Sequence, residues 1–334
     1  MAKNDKRLIV ATLIGLAISA IALLSTFVAL PGSYTRRVFF AAGCEVAVTS
    51  NDQRTFEIVN SEMKRLEAMF RPFGDSVLVR VNEAAGKSPV VVPQEFIELV
   101  TLAIDAHTMT QGVFDVSAGR VFWFWKDKIK SGEVTSVPAA KDVDALLPFT
   151  GISHIVIDTK KSTVFIDKAG VQIDLGGIAV GYMLDKTVQK LRAAGITSAL
   201  IDAGGDVYAL GGKDGRPWDV GVKDPDKDGV IHSYALTDEA LATSGDYAQC
   251  FVVDGKRYSH LVDPKTLLPV QNGLESVTVT AANAVSADVF STSFFIMGKD
   301  ATQRFIYSAG SNMRVCAIER TEKGREMHLM GDQR

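Results

Sequence analysis

From Leu8 to Gly32 the chain carries no charged side chain, and Lys3, Lys6 and Arg7 stand directly before that run. At 1.5 Å per residue a helix over the stretch reaches about 36 Å, more than the ~30 Å hydrocarbon core of a bilayer and longer than the usual apolar region of a cleaved secretory signal. The run therefore predicts a membrane anchor or signal-anchor over residues 1–33, with a cleaved signal as the alternative. The basic residues that precede it favour a cytoplasmic N-terminus, which would carry the rest of the chain to the periplasmic side of the inner membrane. Ala41-Ala42-Gly43-Cys44 imitates a lipidation box, but Arg36 and Arg37 interrupt the apolar run just upstream. The stretch Val38 to Thr49 is instead expected to be a strand in which Cys44 serves as a small apolar residue.

The remainder of the chain must fold as a body of its own, and composition bounds it. The chain has 334 residues with 36 Lys+Arg against 39 Asp+Glu. Lys3, Lys6, Arg7, Arg36 and Arg37 face Asp5 alone before Val38, so the remainder is more acidic than the whole-chain net charge of −3. An acidic body argues against a nucleic-acid partner. A hydrophobic share of 47% suffices for a core. Cys44, Cys250 and Cys316 are too scattered for a CxxC metal site or a disulfide framework.

Hydrophobic periodicity gives the elements. Phe56, Val59, Met63, Leu66 and Phe70 recur at helical spacing, and a second helix is expected to start at Pro93 and stop near Gly112. Residues 154–158 and 163–167 read as a hairpin, and Asp254-Gly255 as the turn of another. A helix over 181–194, a strand over 197–202, helices over 284–297 and 300–309 and a last strand over 313–318 complete the reading. This mixed order implies an α+β fold, a single compact unit with two lobes over residues 38–334.

Chemistry concentrates where glycines meet carboxylates. In Asp174-Leu-Gly-Gly-Ile-Ala-Val-Gly181-Tyr, glycines between a strand and a helix start would let backbone amides approach an anion such as a diphosphate, or simply form a tight turn. Neither GxGxxG nor GxxxxGK[ST] is present, so the usual dinucleotide and P-loop sites are excluded. Ala203-Gly-Gly-Asp206 repeats the theme after a strand. Asp288 and Thr292 at i and i+4 offer oxygen ligands suited to Mg²⁺, although a helix carboxylate is commonly a surface charge. His260 closes a strand, where it could act as a base or serve a structural role. Asp224-Pro-Asp-Lys-Asp-Gly229 imitates an EF-hand loop but has Ala235 at the twelfth position, and Ser244 lacks a nucleophile-elbow context.

In order along the chain, Phe114-Asp115 after Gly112, Asp174-Leu-Gly-Gly-Ile-Ala-x-Gly-Tyr, Ala203-Gly-Gly-Asp, Thr243-Ser-Gly-Asp-Tyr with Arg257-Tyr-Ser-His-Leu-Val-Asp-Pro, and Ala287-Asp-x-x-Ser-Thr together resemble the ApbE family of FAD:protein FMN transferases. The resemblance implies an ApbE-like, T-fold-related domain that moves FMN from FAD to a threonine hydroxyl of a target redox protein and releases AMP. It implies that FAD, the substrate, contacts Ala42, Phe70, Val113, Phe114, Asp115, Asp174, Val180 and Leu261. It implies that Mg²⁺ is held by the Gly177 carbonyl, Asp288 and Thr292, with His260 orienting or deprotonating the nucleophile. Acceptors of the kind implied are subunits of Rnf-type or sodium-pumping NADH:quinone oxidoreductases. The chain departs from the family pattern at Ala42-Gly-Cys44, at apolar Val180 where a charged side chain is usual, and at Leu267-Leu268. FAD hydrolysis to FMN and AMP, with water as the nucleophile, and non-catalytic flavin binding are the alternatives.

Overall fold

The computed structural model describes residues 33–131, 136–247, 249–310 and 312–332. The larger strands are β1 (Thr35–Ala41), β2 (Cys44–Ser50), β3 (Ala199–Ala203), β4 (Asp206–Leu210), β5 (Trp218–Lys223), β6 (Val230–Leu236), β7 (Glu239–Gly245), β8 (Cys250–Val253), β9 (Lys256–Ser259), β10 (Leu274–Ala281), β11 (Arg314–Thr321) and β12 (Gly324–Met330). Eight of them form one sheet in the order β1-β2-β3-β4-β7-β10-β11-β12, antiparallel at every step. The helices are α1 (Arg54–Phe70), α2 (Val77–Glu83), α3 (Gln94–Met109), α4 (Gly119–Ser131), α5 (Ala140–Asp144), α6 (Ala179–Ala193), α7 (Ala284–Met297) and α8 (Lys299–Ala309).

Burial explains the layering. β10, rich in Val and Thr, is buried along its whole length, because α7 covers one face of the sheet centre while the β5–β6 hairpin covers the other. Trp218, Tyr234 and Leu236 of that hairpin pack on Val207, Ala209 and Ile318 of the sheet. On the helical side Phe56, Val59, Met63, Leu66 and Phe70 of α1 are buried as their spacing predicts, joined by Tyr182 and Leu184 of α6 and Phe294 of α7. A smaller cluster gathers Val121 and Trp125 of α4, Val143, Phe251, Val253, Val262 and Leu267. Trp125 Nε1–H donates to the Leu267 carbonyl at 2.8 Å and so ties α4 to the segment after β9.

An antiparallel sheet with helices on one face is the expected α+β arrangement. Several boundaries differ from the sequence reading. The single strand expected over 38–49 is a hairpin: Ala42 (φ 56°) and Gly43 (φ 72°) turn the chain so that Ala41 pairs with Cys44. Pro93 caps α3 rather than opening it, and the last strand is followed by β12. Asp224–Gly229 is the turn between β5 and β6, closed by the Asp224 amide donating to the Gly229 carbonyl at 3.1 Å. Among the described residues no helix is long and apolar enough to cross a membrane. The anchor expected over Leu8–Gly32 lies outside the described residues.

Candidate functional site

A cleft of about 640 Å³ opens between the main core and the smaller cluster. All twelve residues singled out from the sequence border it: Ala42, Phe70, Val113, Phe114, Asp115, Gly177, Asp174, Val180, His260, Leu261, Asp288 and Thr292. They come from the β1–β2 turn, the end of α1, the loop before α4, the glycine turn before α6, the segment after β9, and α7.

One wall is acidic and rich in hydroxyls. Asp288 is only 6% exposed, so it is not the surface charge that a helix carboxylate commonly is. Its Oδ2 accepts the Gly181 amide at 3.1 Å across the α6–α7 contact. Burial raises its carboxyl to about 7, opposed by that amide and reinforced by Asp185. Asp206, at the start of β4, is pushed well above the ordinary carboxylate range by burial and then by the nearby charges of Asp288 and Asp202. Ser244 Oγ on β7 lies 2.9 Å from Ser291 Oγ and 3.1 Å from Thr292 Oγ1. A Cβ at residue 177 would come within 3.4 Å of Thr292 Oγ1, so the Gly177 backbone abuts the same group. Asp206, whose carboxyl the charge of Asp288 helps to raise, Asp288 itself and the hydroxyls of Ser244, Ser291 and Thr292 make this an acidic corner lined with oxygen atoms.

The glycine segment forms the tight turn that is one of its two expected forms. Its amides are mostly used internally: Gly176 donates to Asp174 Oδ1 at 2.8 Å, Ile178 and Ala179 donate to the Leu175 carbonyl, and Gly181 donates to Asp288. The glycines here permit close approach of chain to chain. A Cβ at Gly181 would sit 2.5 Å from the Ala284 carbonyl oxygen at the start of α7. Gly181→Ala is therefore expected to lower unfolding free energy by roughly 1–3 kcal/mol, the usual cost of overpacking, read from the urea midpoint. An unchanged midpoint would mean that the two helices part without cost.

The facing wall is basic and aromatic. Phe122, Trp123, Lys126 and Lys130 of α4 border the cleft. Lys126 Nζ pairs with Asp174 Oδ2 at 3.0 Å. Asp115 takes the Ser117 amide and hydroxyl at 2.8 and 2.6 Å, and the Phe114 carbonyl meets His107 Nδ1 at 3.1 Å, which fixes the loop ahead of α4. His260 Nδ1 lies 3.3 Å from the Gln249 carbonyl. That contact makes Nδ1 the protonated nitrogen and leaves Nε2 as an acceptor. Burial, with Lys126 adding to it, moves the imidazole below its ordinary range and so keeps it neutral.

Asp206, Ser244 and Lys126 were not singled out as site residues. The first two lie in the Ala203-Gly-Gly-Asp and Thr243-Ser-Gly-Asp segments, and only the pairing of β4 with β7 brings those segments side by side. Lys126 follows an aromatic run, Phe122-Trp-Phe-Trp125, that carries no motif.

The cleft joins an acidic, oxygen-lined corner to a lysine-bearing aromatic wall, a lining with polar and apolar parts for one ligand. The sequence profile of the ApbE family matches residues 41–316, and the chain belongs to that family. It is 32% identical over 252 residues to an FAD:protein FMN transferase of Klebsiella pneumoniae, covering 75% of this chain and 77% of that one. With another from Vibrio cholerae it shares 30% identity over 274 residues, covering 81% and 79%. Among solved structures, an ApbE protein from Thermotoga maritima superposes with a TM-score of 0.79 at 34% identity over 89% of this chain and 97% of its own. The flavin transferase ApbE from Vibrio cholerae gives 0.78 at 25% identity over 90% and 98%.

Proposed function

We propose that this protein transfers FMN from FAD to a hydroxyl of a target protein, a threonine in the reading taken from the family resemblance. The observation that carries the reading is the convergence, in one cleft, of the Asp206–Asp288 corner with His260, whose Nδ1 faces the Gln249 carbonyl. In the reaction the acceptor oxygen forms a bond to the phosphorus of the FMN half. The phosphorus–oxygen bond between the two phosphates breaks, and AMP departs with the electron pair. His260 Nε2 takes the acceptor proton, its tautomer held by the Gln249 carbonyl. Phe70, Phe114, Val180 and Leu261 shape the apolar part of the cleft and exclude water from it.

The oxygen donors fit Mg²⁺: Asp288, Thr292 and the Gly177 carbonyl would hold it, with Asp206 and Ser244 beside them. Bound there, the ion supplies charge neutralisation for the diphosphate as the bond to AMP breaks. The uncharged run Leu8–Gly32 supports attachment to a membrane with this cleft on its extracytoplasmic side, where an exported redox protein would be the acceptor.

FAD should bind more tightly than FMN in the presence of Mg²⁺, because the corner addresses a diphosphate that FMN lacks. Fluorescence titration of both flavins with and without Mg²⁺ tests this. Equal affinities under both conditions would remove the diphosphate from the reading. Intact mass of an acceptor incubated with FAD and Mg²⁺ tests the transfer itself, where a gain of one FMN is expected and its absence counts against transfer.

A further inference from the structure

We infer that Lys126, set on the glycine turn at the edge of the cleft, is the chain's own cation for the diphosphate of the bound flavin dinucleotide. The inference rests on the FAD reading above and goes beyond it by assigning a ligand-binding side chain on α4. An anion approaching the glycine turn finds four of its amides already engaged, those of Gly176, Ile178, Ala179 and Gly181 being spent on Asp174, the Leu175 carbonyl and Asp288. The first turn of α6, Ala179-Val180-Gly181-Tyr182, brings no basic side chain either. The cation at this turn comes from another helix. Lys126 Nζ lies 3.6 Å from where a Cβ on Gly176 would stand, so the ammonium rests directly on the turn.

Its surroundings pin it there. Asp174, itself buried, holds Nζ through Oδ2 and the Gly176 amide through Oδ1. The helix that carries Lys126 starts at Gly119, whose amide donates to the Gln172 carbonyl at 3.0 Å, and a Cβ there would meet that oxygen at 2.6 Å. The start of α4 is thus pressed against the same segment that presents Asp174. Asp174 uses one of three N–H donors, and the lysine side chain stays 21% exposed toward the cleft, so donors remain for a ligand. Lys126 and Lys130, one turn further along α4, both lie over the Trp123 ring, at 5.1 and 4.8 Å, but only Lys126 is paired with Asp174, while Lys130 is exposed. The corner with Asp206 and Asp288 repels phosphate unless a cation sits there. An ammonium held by Asp174 on the glycine turn, together with a cation in that corner, gives the diphosphate two positive contacts.

The test is a set of flavin titrations at saturating Mg²⁺ that needs no acceptor. For Lys126→Met, FAD affinity should fall roughly 10- to 100-fold, the effect of losing a charge-assisted hydrogen bond, while riboflavin, which has no phosphate, binds within two-fold of wild type. Lys126→Arg should keep most of the FAD affinity. Because Lys126→Met leaves Asp174 unpaired, the double variant Lys126→Met/Asp174→Asn is titrated as well, and it should show the same selective loss with a melting temperature near wild type. FAD affinity within two-fold of wild type in either variant overturns the assignment, as does an equal loss of riboflavin binding. Wild-type protein that binds no FAD overturns the underlying flavin reading together with it, whereas wild-type binding with an indifferent lysine overturns Lys126 alone.

Discussion

Asp288→Asn should abolish Mg²⁺-dependent FMN transfer while leaving a folded protein. The choice of asparagine follows from the burial of Asp288: its Oδ2 accepts the Gly181 amide at 3.1 Å, so alanine would orphan that donor and loosen the α6–α7 contact. Asparagine keeps an oxygen for Gly181 and removes the charge that a divalent cation requires. The loss should be near complete, because Asp206 alone, with neutral hydroxyls around it, is a weak hard-cation ligand set. Single-turnover transfer at several Mg²⁺ concentrations, with melting temperature alongside, checks this. Wild-type turnover with unchanged Mg²⁺ dependence would return Asp288 to a structural role.

The same burial gives a pH signature in the wild-type protein. With its folded pKa raised to about 7, Asp288 binds its proton more tightly in the native state than in the unfolded chain. Without metal, stability should therefore fall as pH rises from roughly 4 toward about 7. Asp206 shifts in the same direction. Mg²⁺ competes with those protons, so its apparent affinity should rise with pH over the upper part of that interval. Melting curves with and without Mg²⁺ across pH read both effects.

How much of the fold and site is legible in the residues depends on what each position does. The α1 face and the late helices follow from spacing, because burial on one side is a local property of the sequence. The β1–β2 hairpin escapes such a reading since its turn is Ala42-Gly43, and a non-glycine residue at positive φ gives no turn signal. The central strands β4, β7 and β10 are hard to read because buried strands lack the polar alternation that marks a half-exposed sheet. At the site, the quoted motifs and, for Ala42 and Phe70, the family resemblance alone lead to positions on the cleft wall. Their partners do not emerge, since Lys126 meets Asp174 only through the packing of α4 and Asp206 nears Asp288 only through sheet order. The glycine segment is marked as a place, with cradle and tight turn both open to the sequence, because whether its amides meet the protein or a ligand depends on Asp174, Leu175 and Asp288 coming to the same turn.

His260→Ala should lower the transfer rate by roughly 10²–10⁴-fold, the usual span for a positioned general base, with FAD affinity little changed. Nδ1 faces the Gln249 carbonyl at 3.3 Å, so substitution forfeits one modest hydrogen bond while removing the acceptor at Nε2. With Mg²⁺ kept saturating at every pH, so that protonation of Asp288 does not limit the metal, the wild-type rate should stay on its plateau at neutral pH and fall once acid protonates Nε2, which burial holds below the ordinary histidine value of about 6.5. The variant's residual rate should lose that acid limb. A histidine that merely packs at the end of β9 would behave otherwise: melting temperature and FAD binding would drop together, and the folded fraction would turn over at nearly normal speed. Single-turnover rates at saturating FAD across pH, measured beside the melting temperature, separate the two. A rate within a few-fold of wild type, with the acid limb intact, would take His260 out of the chemistry.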